Sequence, residues 1–188
     1  MQRQAGFTLI ELMIAVVVMV ILTMLAVPSL ETYFDKSRVR GAADSIINQV
    51  GQARQVAVKY DRDVTLSTKG SGATWCLGAL EADMPDPGDQ APDAVACGCN
   101  VSASSCVVDG QQLVIDSDEH EGVSLSSAAA EIVFDGRMGM LKDELSADER
   151  SFDLTSKSGR YTLTVSISPL GQATVCTKTG NILGYPSC

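Results

Sequence analysis

Polar and apolar positions follow three different rules along the chain. Between residues 7 and 27 every position is apolar except Thr8, Glu11 and Thr23. At helical rise this run covers about 31 Å, the depth of a bilayer's hydrocarbon core. After Pro28, apolar residues return every three or four positions: Ala42, Ala43, Ile46, Ile47, Val50, Ala53, Val56, Ala57 and Tyr60. Arg38, Arg40, Asp44, Asn48, Gln52, Arg54 and Lys59 fall largely on the other side. The two patterns predict one long helix, from about Phe7 to Tyr60, kinked at Pro28 because proline removes a helix hydrogen bond. Its first half is apolar all round. Its second half is amphipathic and must pack on a domain.

Past Tyr60 the period shortens to two. Strands are predicted over 64–68, 74–80, 123–127, 131–134 and 152–155. Segments 105–109 and 112–116 flank Gly110, which predicts a hairpin. The clearest alternation sets Tyr161, Leu163, Val165 and Ile167 against Thr162, Thr164, Ser166 and Ser168, a strand with one buried face. Ser168-Pro169-Leu170-Gly171 has the residues of a type I turn, and 172–178 is the returning strand. Two stretches break the pattern. Residues 81–96 carry Pro85, Pro87 and Pro92 and read as a surface loop, whose acids lack the spacing of a calcium loop. Residues 142–150 read as a charged loop or short helix.

The length of 188 residues suits one domain plus the apolar run. A formal net charge of −9 argues against a general affinity for nucleic acid, which needs basic surface to displace counterions. Cys76, Cys97, Cys99, Cys106, Cys176 and Cys188 all lie beyond the apolar run. If that run leads export, they reach an oxidising compartment and are expected as disulfides; six cysteines allow 15 pairings. Cys97-Gly98-Cys99 with Cys76 and Cys106 is a conceivable metal site. Its spacing is not that of a zinc ribbon, however, and two separate disulfides are the simpler expectation. A Cys176–Cys188 bridge would close a short loop around Gly180, Gly184 and Pro186 and pin a tail with little apolar surface. His120, the only histidine, sits among Asp116, Asp118, Glu119 and Glu121 and reads as part of a polar turn rather than as a metal ligand. No Gly-x-Ser-x-Gly elbow and no phosphate-cradling loop is present, so catalysis is not expected, and neither is a metal or a cofactor.

The N-terminus has two readings. It is either an ordinary secretory signal, cut near Ala26, or a short basic leader cut between Gly6 and Phe7 that leaves the apolar run on the mature chain. Three features favour the second. The leader is short and ends in Gly6, Glu11 would damage an ordinary signal core, and the helix pattern continues past Val27.

Gly6-Phe7-Thr8-Leu9-Ile10-Glu11 resembles the class III signal of type IV prepilins. The resemblance implies cleavage after Gly6 by a prepilin peptidase and methylation of the new amine of Phe7. It also implies an assembly role for Glu11, whose carboxylate would pair with that amine on a neighbouring subunit. Ile132-Val133-Phe134-Asp135-Gly136-Arg137, then Gly159-Arg160-Tyr161-Thr162-Leu163-Thr164-Val165-Ser166 and Gly171, resemble the GspH/FimT/FimU group of minor pilins and pseudopilins. That group implies an α+β, type IV pilin-like fold, with a long N-terminal helix packed on antiparallel sheet. The expected divisions are a leader over 1–6, a transmembrane or filament-core half helix over 7–28, an amphipathic half over 29–60 and a β-rich domain over 61–188. The implied partners are other minor and major pilins, the peptidase and the inner membrane. The domain would face the periplasm before assembly and the cell surface after it. Within the group, a cysteine-rich chain ending in a small disulfide loop resembles a type IV minor pilin that primes or decorates assembly near the filament tip. The alternatives are a pseudopilin of type II secretion and a DNA-binding minor pilin. The last uses a basic Gly-Arg-x-Arg element, and here Gly171-Gln172-Ala173-Thr174 lacks both arginines.

Overall fold

A computed structural model describes residues 8–82, 96–127 and 131–188; the side chains of 25–28 and 127 are not among them. The expected leader, the expected cleavage pair Gly6 and Phe7, the side chain of Pro28 and most of the proline-rich loop lie outside the described residues. Helix α1 spans Leu9–Tyr60. Thr8 precedes it and accepts a hydrogen bond from the Glu11 N–H at 3.4 Å through Oγ1, satisfying one of the first-turn donors. The helix stops at Asp61, whose φ of 52° is left-handed. The Arg62 N–H then returns to the Ala57 carbonyl at 3.1 Å, closing the last turn in a Schellman arrangement.

The chain forms two compact units, Met1–Phe34 and Asp35–Cys188. In the first, the side chains of Leu9, Ile10, Leu12, Met13, Ile14, Val16 and their successors up to Met24 are all exposed. In the second, α1 buries Val39, Ala42, Ala43, Ile46, Val50, Ala53 and Ala57. Four of these seven are alanines, small enough to let the helix backbone approach a sheet closely.

The strands are β1 (Val64–Ser71), β2 (Thr74–Glu81), β3 (Val107–Val108), β4 (Gln111–Gln112), β5 (Val114–Asp116), β6 (Val123–Ser127), β7 (Glu131–Phe134), β8 (Ser151–Ser156), β9 (Thr162–Ile167) and β10 (Ala173–Thr179). They make two four-stranded sheets, in the orders β5-β2-β1-β7 and β10-β9-β8-β6, and a small β3-β4 pair. Every pairing is antiparallel. The sheets are joined where Gly72 and Leu125 exchange backbone hydrogen bonds of 2.8 and 2.9 Å. Leu66, Leu77, Leu125, Ile132, Phe134, Phe152, Leu154, Leu163 and Ile167 fill the core under the helix. This is the α+β, pilin-like architecture, one long helix followed by antiparallel sheet.

Two local expectations change. The predicted 105–116 hairpin is split: Val107 and Val108 pair with Gln112 and Gln111, whereas Val114–Asp116 crosses to β2. Leu113 makes the crossing, donating to Cys106 and accepting from Ala79. Tyr60, assigned to the apolar face, is 38% exposed because the helix ends beside it, and its hydroxyl donates to Asp109 Oδ1. Gln49 is buried although polar. Its amide donates to the carbonyls of Leu77 (3.1 Å) and Leu113 (2.9 Å), the point where β5 leaves β2.

Candidate functional site: the N-terminal helix and the cystine-braced domain

Glu11 is the one ionisable side chain among the described residues of the apolar run. It lies in the first turn of α1, where the helix dipole favours a negative charge. Around it the exposure is extreme: Leu9 is 78% and Met24 71% accessible. A contiguous apolar surface of this kind, over residues 9–24 of α1, marks a segment suited to contact with lipid or with other helices. Thr23 donates to the Val20 carbonyl at 2.9 Å, so its hydroxyl is satisfied within the helix and does not oppose burial.

The cysteines form three bridges, Cys76–Cys99, Cys97–Cys106 and Cys176–Cys188. The sequence left the pairing of the first four open. The Cys97–Cys106 bridge packs on Gly78 in β2, with the Cβ of Cys99 beside it. A methyl group there would lie 2.5 Å from the sulfurs of both Cys97 and Cys106, so only glycine fits. Cys176–Cys188 draws the last residues beside β10, where Thr177 bridges to Ser187. The tail then seats on α1: Ile182 is fully buried, Arg40 donates to the Leu183 carbonyl, and the Arg40 guanidinium lies 5.8 Å from the Tyr185 ring.

A second feature was not read from the sequence. Ile47, Val50, Arg54 and Val58 of α1 face Met138 and residues 171–173 across an open groove of about 670 Å³. The turn at Gly139 and the turn at Gly171 close it, and Arg54 Nε donates to the Gly139 carbonyl at 3.0 Å. The signal was present in Ile47 and Val58, two apolar residues that flank the buried row rather than belong to it.

His120 is not placed with other groups to hold a metal; among the described residues no three His, Cys, Asp or Glu side chains are so placed. Its ring stacks parallel to Trp75, with centroids 6.2 Å apart. Burial pushes its pKa below 6.5, against smaller raising effects of Glu119 and Asp116. Lys178, the cation nearest the Gly171-Gln172-Ala173-Thr174 element in sequence, is paired with Asp153 at 2.6 Å.

Residues 1–27 match the prokaryotic N-terminal methylation motif, and residues 42–171 match type II transport protein GspH. No curated protein and no solved structure matches the chain. The second match covers well over half the sequence and takes in α1 from Ala42 on and strands β1 to β9, ending at Gly171. With an apolar, acid-bearing helix ahead of a two-sheet domain, the chain belongs to the GspH family, a pilin and pseudopilin type of structural subunit, and groups with the GspH/FimT minor pilins.

Proposed function

We propose that the chain is a minor pilin of a type IV pilus that primes or decorates assembly at or near the tip. In this reading a prepilin peptidase cuts between Gly6 and Phe7 and methylates the Phe7 amine. Residues 7–28 hold the chain in the inner membrane, kinked at Pro28, with 29–60 and the 61–188 domain in the periplasm. On assembly the same apolar helix moves from lipid into a bundle of helices. The observation that carries the proposal is the fully exposed apolar helix with one acid in its first turn. An unpaired carboxylate in a membrane helix costs about 2.5–3.5 kcal/mol at the centre, so its presence calls for a cationic partner. The methylated amine of a neighbouring Phe7 supplies one.

The test is Glu11→Ala. Membrane insertion should be kept, since removing the charge eases it, while incorporation into filaments falls at least about tenfold, the equivalent of about 1.4 kcal/mol. Normal amounts of the variant in sheared pili would overturn the assembly role. A second reading, a minor pseudopilin of type II secretion, draws support from the description of the family matched over 42–171. A deletion strain separates them: loss of piliation with normal protein export supports the first, and the reverse supports the second.

A further inference from the structure

Most cations of the domain are already engaged. Lys59, Arg62, Lys142 and Lys178 pair with acids. Arg40, Arg54 and Arg150 donate to backbone carbonyls. Lys36, Arg38, Lys69, Arg137, Lys157 and Arg160 have no acid or carbonyl partner among the described residues, and four of these six, Lys36, Arg38, Lys157 and Arg160, come together. Lys36 and Arg160 flank Tyr161, with their charged groups 4.9 and 5.9 Å from the ring centroid. Arg38 and Lys157 meet at Gly122, where a methyl group would lie 3.3 Å from Arg38 Nη1 and 3.4 Å from Lys157 Cβ. Arg160 is held by the Ser158 hydroxyl at the tip of the β8–β9 hairpin. In a chain of net charge −9 this is a local reversal of sign.

We propose that this cluster is an anionic-phospholipid site, which holds headgroup phosphates at the membrane surface before the subunit is drawn into a filament. The proposal rests on the membrane-anchored reading above. Lys36 comes nine residues after Val27, so even a fully extended chain keeps it within about 31 Å of the end of the apolar run. Tethering at that range gives the cluster a high effective concentration of headgroups whatever its orientation. Duplex nucleic acid has no such tether, and the net charge of −9 opposes its approach. Two cations against the Tyr161 ring keep their hydrogen-bond donors available to phosphate oxygens, and guanidinium groups bind these in a bidentate manner. Glu31, Asp35 and Glu121 are the acids nearest the cluster in sequence, and they limit the attraction to short range.

Full-length protein would be reconstituted into nanodiscs of phosphatidylcholine alone and of phosphatidylcholine with phosphatidylglycerol, and amide exchange followed over 156–162. Exchange should slow with the anionic lipid. The slowing should shrink about fivefold for each cation removed in Lys157→Ala and Arg160→Ala, and fade in high salt. Equal exchange in both discs would overturn the proposal while leaving the anchor reading intact. Failure to recover the protein in either disc would overturn both. Protection by a short DNA duplex but not by phosphatidylglycerol would overturn it in favour of nucleic acid.

Discussion

Single residues set local limits on this fold's stability. Gly78 is one: Gly78→Ala forces a methyl group against two cystine sulfurs in a packed layer. Overpacking of this kind costs about 1–3 kcal/mol, so the variant should unfold at lower urea concentration and show free thiol by labelling. An unchanged midpoint would mean that the bridges can move aside. His120 is another. Because burial lowers its folded pKa, the unfolded chain binds a proton first as the pH falls. The stability tied to neutral His120 is complete above its unfolded value of about 6.5 and declines as the pH drops from there towards the folded value. Detergent-solubilised protein should lose stability between about pH 7 and pH 5, and His120→Gln should flatten that decline. Equal slopes for the two proteins would assign it to the carboxylates instead. Neither residue announced itself in the sequence: Gly78 lies in a strand pattern, and His120 lies in a turn whose nearest neighbours in sequence are acids. Their surroundings come from chain segments tens of residues away.

At the scale of elements the sequence was far more informative. Period-two alternation located β9, with Leu163, Val165 and Ile167 buried as the pattern requires. Period-three-and-four spacing located the buried row on α1. The failures came where a bridge or a crossing overrides local pattern, as in 105–116, which Cys106 and Leu113 divide between two sheets. The C-terminal tail shows the same dependence on covalent closure. Cys176 and Cys188 are 12 residues apart, a loop whose opening restores about 3 kcal/mol of chain entropy to the unfolded state. Replacing both by serine should lower unfolding stability by roughly that amount and release Leu183 and Tyr185 from α1, detectable as faster amide exchange over 181–187. Retained protection there would mean that Ile182 and Arg40 hold the tail unaided.

At the scale of the whole molecule, the two compact units differ in what they bury. One has a conventional interior. The other has none, and its apolar side chains wait for lipid or for other subunits. That contrast was legible from the first 60 residues, because a 3.6-residue period changes from uniformly apolar to two-sided within a single helix. What covers the apolar half was not legible, since it lies in other molecules. Intact-mass and N-terminal analysis of protein from sheared filaments addresses the point. The expected product begins at methylated Phe7; a product beginning near Val27 would refute retention of the anchor.

The packing of a cystine on Gly78 has a bearing on oxidative folding. Cys97 and Cys99 are separated by one residue, so an oxidant arriving early could join either to the wrong partner. The Cys97–Cys106 bridge seats both its sulfurs in the notch left by the missing side chain of Gly78, and the Cys99 Cβ packs beside them. The notch therefore favours this pairing: a chain joined otherwise is expected to leave it unfilled and to stay more open to isomerases and proteases.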